Sequence, residues 1–104
     1  MKNLLNSKVK FDGIFAANDQ SAVGAINILT KNGLAVPKKI KVVGFDDSPI
    51  AAIHRPTITS VKQPIRNLGS EVATSLLDTI NGKKVKNKTI DVKLMKRQST
   101  QLDY

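Results

Sequence analysis

Short apolar runs alternate with stretches of helical periodicity along the chain, the pattern of βα units that build a largely parallel sheet. The run Gly13-Ile14-Phe15-Ala16-Ala17 predicts a short strand of the kind buried on both faces, ending at Asn18-Asp19. Ala22, Ala25, Ile26 and Leu29 then recur at helical spacing. They predict an amphipathic helix with Asn18 or Asp19 as its N-cap and Gly33 just past its end.

A second strand follows Pro37 as Ile40-Lys41-Val42-Val43-Gly44-Phe45 and stops at the acidic pair Asp46-Asp47. The stretch from Ser48 to Arg55 is ambiguous and can hold a turn of helix, and Pro56 makes the residue before it extended. Residues 58 to 63 can form a third strand. Pro64 suits the first turn of a long helix whose Ile65, Leu68, Val72, Ala73, Leu76, Leu77 and Ile80 make one apolar stripe, closed by Asn81-Gly82. Ile90, Val92 and Leu94 alternate with polar neighbours as in an edge strand with one wet face. Residues 1 to 7 read as the end of a helix with Leu4 and Leu5 on its apolar side.

At 104 residues the chain has room for one compact domain, which buries roughly 65% of its unfolded surface. The absence of Cys excludes a disulfide framework, a thiolate zinc site and a Cys nucleophile. No run of 18 apolar residues and no signal-peptide pattern is present, so a cytoplasmic chain is expected, with no membrane partner. Lys and Arg number 17 against 8 Asp and Glu, a net charge of +9 that would attract nucleic acid if concentrated on one face. The charge is dispersed instead. Its one dense group, Lys83, Lys84, Lys86 and Lys88, lacks interleaved aromatics and reads as a solvated loop.

In open α/β sheets ligands sit beyond the carboxyl ends of the strands, which here carry Asn18-Asp19, Asp46-Asp47 and Lys62-Gln63. Asn, Asp and Gln can grip a polyol by hydrogen bonds alone. Asp19 is expected to cap a helix and Asp47 a turn, leaving Asn18 and Asp46, the first residues past each strand, as the ligand candidates. Acids at strand ends can also hold magnesium in phosphotransfer enzymes. Against an enzyme stand the lack of phosphate-loop, nucleophile-elbow and HExxH motifs and a single His54 without triad context. No metal and no cofactor is expected.

Several segments carry a family likeness: Phe11-Asp12-Gly13-Ile14-Phe15-Ala16-Ala17-Asn18-Asp19, Gly33-Leu34 to Pro37, Val42-Val43-Gly44-Phe45-Asp46-Asp47, Arg55-Pro56-Thr57-Ile58-Thr59-Ser60-Val61-Lys62-Gln63-Pro64, Leu68-Gly69 and Arg97-Gln98-Ser99-Thr100. In this order and spacing they resemble the C-terminal third of a LacI/GalR-type transcriptional regulator. The resemblance implies an α/β, Rossmann-like, mostly parallel sheet flanked by helices, part of a periplasmic-binding-protein-like effector domain. Residues 1 to 104 would be a single fragment of that effector-binding and dimerisation domain, without its helix-turn-helix head.

By position the resemblance assigns effector contacts to Asn18, Asp46 and Gln63, with Ile65 and Leu68 facing the same region; the effector is usually a saccharide. It places Val23, Ile26, Ile50 and His54 where such domains pair into a homodimer, with the core as the other place for Ile26. Operator DNA would be bound only through the absent N-terminal head. The long helix would belong largely to the other lobe, so its stripe lacks its usual cover here and favours association. A periplasmic sugar carrier and a basic nucleic-acid-binding module are the alternatives.

Overall fold

The computed structural model describes residues 1 to 102. The elements are α1 (Lys2–Leu5), β1 (Gly13–Phe15), α2 (Asp19–Lys31), β2 (Lys41–Phe45), α3 (Pro49–Ile53), β3 (Thr59–Lys62), α4 (Ile65–Ile80) and β4 (Lys93–Met95). They form one sheet in the order β1-β2-β3-β4. The β1–β2 and β2–β3 pairs are parallel, with Phe15 beside Val43 and Val43 beside Thr59. The expected α/β class with a mostly parallel sheet is what the chain adopts.

The described residues fall into two compact units, residues 1–62 with 94–102, and residues 63–93. The first unit has a core. α2 lays Ala22, Ile26 and Leu29 against Val42 of β2, and Ile40, Ala51 and Ile58 close around them. The helix begins and stops where local chemistry dictates. Asn18 is extended and its side chain accepts from the Ser21 N–H, while Gly33 just beyond the end takes the left-handed φ of 72°.

The strand alternation sends Ile14, Val42 and Gly44 to the α2 side and Phe15, Val43 and Phe45 to the other. On that other side Phe15 is 69% exposed and its ring meets Phe45 at a centroid distance of 6.4 Å. The expectation that the first strand is buried on both faces is therefore corrected. β1 is an edge strand, and only Ile14 of its three residues turns toward the core.

The second unit is the long helix and the loop that returns from it. α4 runs as its stripe predicts, and Asn81 with Gly82 at φ 76° ends it, yet none of its residues is buried. Its stripe lies open, from Ile65 to Ile80. The lysine-rich loop is solvated as expected. Lys88 holds Glu71 at 2.7 Å and Lys83 approaches Asp78 at 3.8 Å. The last strand is shorter than its alternation implies, since only residues 93–95 of the stretch from Ile90 extend as β4, which takes the edge beside β3.

Candidate functional site at the carboxyl ends of the strands

Three polar segments follow β1, β2 and β3, and a buried carboxylate ties them together. Asp19, 1% exposed, accepts from the Ser48 N–H at 2.7 Å, the Ser48 hydroxyl at 2.9 Å and the Ser60 hydroxyl at 2.6 Å. A buried carboxylate is costly unless its lone pairs are met, and here three donors meet them. The expectation that Asp19 caps the helix is corrected. Asn18 is the cap, and Asp19, the first helical residue, turns inward to join the turn after β2 to β3.

Gly44 makes this possible. A Cβ at that position would fall on Asp19 Oδ1 and stand 3.2 Å from its Cα, so only a residue without a side chain lets the carboxylate lie against β2. The glycine in Val-Val-Gly-Phe-Asp-Asp is thus a clearance for Asp19, forty-one residues from its partner Ser60.

The backbone after β2 is held in an unusual shape. Asp46 has φ 98° and Asp47 φ 52°, both in the left-handed region that side chains disfavour. Successive N–H groups secure it: Asp46 donates to Val61 O at 2.9 Å, Asp47 to Ser60 Oγ at 2.9 Å and Ser48 to Asp19 Oδ2 at 2.7 Å. Asp47 does not act merely as a turn cap. Its Oδ1 lies 2.7 Å from Arg97 Nη2, with both side chains largely buried, and among the described residues no donor is aligned on that oxygen, so the contact is one of charge. Arg97 also donates to the Ile58 carbonyl at 2.9 Å.

The Arg97-Gln98-Ser99-Thr100 segment is structural throughout. Ser99 is fully buried where the β2–β3 pair begins. It receives the Val42 N–H on its carbonyl at 3.0 Å and the Thr59 N–H on its hydroxyl at 2.8 Å, and donates its own N–H to Thr57 O at 2.8 Å. Gln98 Oε1 accepts from the Thr57 N–H at 2.9 Å.

Of the expected ligand residues, the structure brings Asn18 and Asp46 to the ends of the neighbouring strands β1 and β2. Asn18 Oδ1 is committed to its cap, and Asp46 is exposed at the turn. Gln63, Ile65 and Leu68 lie in the second unit, where Ile65 is exposed along α4. Of the expected pairing residues, Val23 and Ile50 are half-buried on α2 and α3, and half-buried His54 has its Nδ1 3.0 Å from the Pro56 carbonyl, to which it donates as the Nδ1–H form. Ile26 is 2% exposed and belongs to the core, the second of the places open to it. The sequence reading singled out neither Ser60 nor Ile53. Ser60 is a polar residue of β3 whose full burial demands a partner, and Ile53 stands exposed beside His54.

Among the described residues no group of three or more His, Asp or Glu comes together as a metal site. No described helix is long and apolar enough to cross a membrane.

Comparison with known proteins gives this geometry its relatives. Residues 2–100 match the periplasmic binding protein-like domain. The HTH-type transcriptional regulator RegA of Clostridium saccharobutylicum is 38% identical over 102 residues, 96% of this chain and 31% of RegA. The lactose operon repressor of Escherichia coli K12 is 38% identical over 98 residues, 93% of this chain and 27% of the repressor. Among solved structures, the lac repressor dimer bound to operator and the anti-inducer ONPF superposes with a TM-score of 0.84 at 36% identity, over 94% of this chain and 35% of that one. The complex of the transcriptional regulator CelR with cellobiose gives 0.83 at 36% identity, over 94% and 31%. This chain spans less than a third of the length of the curated relatives. These relatives are regulators and a repressor by name, not enzymes. The chain belongs to the periplasmic binding protein-like domain family, in the form that domain takes in LacI/GalR-type regulators.

Proposed function

We propose that this chain is the effector-binding and dimerisation portion of a LacI-type transcriptional regulator, that its effector is a saccharide, and that it acts in the cytoplasm. The observation that carries the reading is the Asp46 turn. A left-handed backbone, fixed by three successive N–H bonds to β3 and to buried Asp19, presents one carboxylate beyond β2, beside Asn18 beyond β1. Backbone strain held in place by its surroundings clusters at ligand contacts, and in α/β sheets ligands bind at the carboxyl ends of the strands. Asp46 accepts from sugar hydroxyls, and the Asn18 amide adds a donor. CelR, so similar in fold, binds cellobiose. Operator DNA is bound through a separate head, and effector acts by biasing two arrangements of the whole regulator.

Dimerisation uses Val23, Ile50 and His54 on the α2–α3 surface. Ile53, 70% exposed between Ile50 and His54, adds apolar area to that patch. The test is an NMR titration of the chain with glucose, galactose, lactose and cellobiose. One of these sugars should shift the Asn18 and Asp46 amides, weakly because the site is partial, and Asp46→Asn should abolish the shift. Sugar-induced shifts confined to other surfaces would contradict the reading.

A further inference from the structure

The end of the sheet opposite Asp46 carries a feature that saccharide binding does not use. Beneath the amino-terminal starts of β1 and β2, Leu5, Phe11, Leu34 and Ile40 line an open hollow of about 400 Å³ together with Lys10 and Lys39. All of these residues lie in the first unit. Its floor is continuous with the core, since Ile40 is a core residue and Leu5, Phe11 and Leu34 pack against it.

The charge at this end is mostly positive. Lys39 also lines a neighbouring hollow with Lys38 and Lys41, where Asp12 is the lone acid. Among the described residues, no ion pair shorter than 4 Å joins these lysines to an acid. An open apolar floor lined by two lysines is complementary to a molecule that is apolar at one end and anionic at the other. A polyanion such as nucleic acid has no apolar body to set on this floor. A second copy of the chain would bring the same lysines against these, and like charges oppose that contact.

We propose that this hollow is a binding site for an aliphatic monocarboxylate, with its alkyl chain on Phe11, Leu34 and Ile40 and its carboxylate between Lys10 and Lys39. The site is separate from the strand ends that face the saccharide, so the two readings stand or fall independently. Occupancy would brace α1 and the loop before β2 against the core.

The experiment is an NMR titration of the chain with octanoate below its micelle-forming concentration, compared with octanamide and acetate. Octanoate should shift the amides of Lys10, Phe11, Leu34, Lys39 and Ile40 saturably. Octanamide, which keeps the chain and loses the charge, should bind the same residues about fivefold more weakly, the size two exposed charge contacts supply. Acetate should give no saturable shift. The double substitution Lys10→Gln with Lys39→Gln, at exposed positions that leave the core intact, should weaken octanoate about fivefold and leave octanamide unchanged. Equal affinity for octanoate and octanamide, octanoate shifts centred on the open stripe of α4, or no shift at these residues would each overturn the proposal.

Discussion

α2 and α4 are both amphipathic helices that follow a parallel strand, and α4 has the longer and cleaner apolar stripe, yet only α2 buries anything. Leu29 of α2 is fully buried, whereas Leu76 of α4 is 59% exposed. The difference lies in what each helix meets. α2 lies on Val42 and is pinned at its first residue by Asp19, whose carboxylate reaches Ser48 and Ser60. α4 has within its own unit only the loop that returns past Glu71 and Lys88. An amphipathic pattern states which face wants cover; it does not supply the cover.

The same contrast separates the two kinds of contact in the molecule. Asp47 and Arg97 pair where water is largely excluded, and the Lys88–Glu71 pair sits in solvent. Removing one partner of the first leaves a buried charge without its counterpart, while the second is screened by salt and worth little.

Substitutions can break this comparison, and their effects should fall in a steep order. Leu29→Ala should destabilise the first unit by about 3 to 4 kcal/mol, because it empties a fully buried volume, and urea denaturation followed by the NMR signals of Val42 measures it. Gly44→Ala should cost about 3 kcal/mol in the same assay, since the new methyl displaces the Asp19 carboxylate. Ser60→Ala should cost about 2 kcal/mol, because Asp19 loses a donor and the Asp47 N–H its acceptor. Leu76→Ala, the same chemical change as Leu29→Ala, should shift stability by less than about 0.5 kcal/mol. A comparable cost at Leu29 and Leu76 would erase the distinction between the units.

The smallest effect is electrostatic. The Lys88 ammonium sits above the ordinary lysine range, chiefly through its hydrogen bond to Glu71 and then through that carboxylate's charge. Its contribution is complete below the ordinary lysine value and is lost as pH rises through the raised one. A titration of the Lys88 Nζ signal should show the raised midpoint in wild type and its return toward the ordinary value in Glu71→Gln, with no measurable change in the first unit.

Much of the fold is legible in the sequence, because α2, β2 and α4 each announce themselves by local period and stop at a glycine or an acid, and β3 stops before Pro64. The edge position of β4 follows from its alternation. What the sequence conceals is long-range. Nothing local says that Asp19 will be buried while Asn18 takes the cap, since that depends on Ser60 and on the missing side chain of Gly44. Asp47 reads as a turn residue until Arg97 is brought beside it. Phe15 reads as core because it is apolar, and it is open because it sits on an edge strand with its side chain on the sheet face away from α2. The candidate site was legible as a set of polar strand ends. Its rigidity was not, because the backbone of Asp46 is fixed by partners on other strands.

That rigidity is the central claim: a buried polar frame presets the strand end proposed to hold the ligand, while the best-patterned helix in the chain remains without a core of its own. Amide hydrogen exchange tests it most directly. The Asp46, Asp47 and Ser48 amides should be strongly protected in the wild-type chain and the α4 amides far less so, and Ser60→Ala should release the first set without altering the second. Wild-type exchange at Asp46, Asp47 and Ser48 as fast as that along α4 would contradict the account.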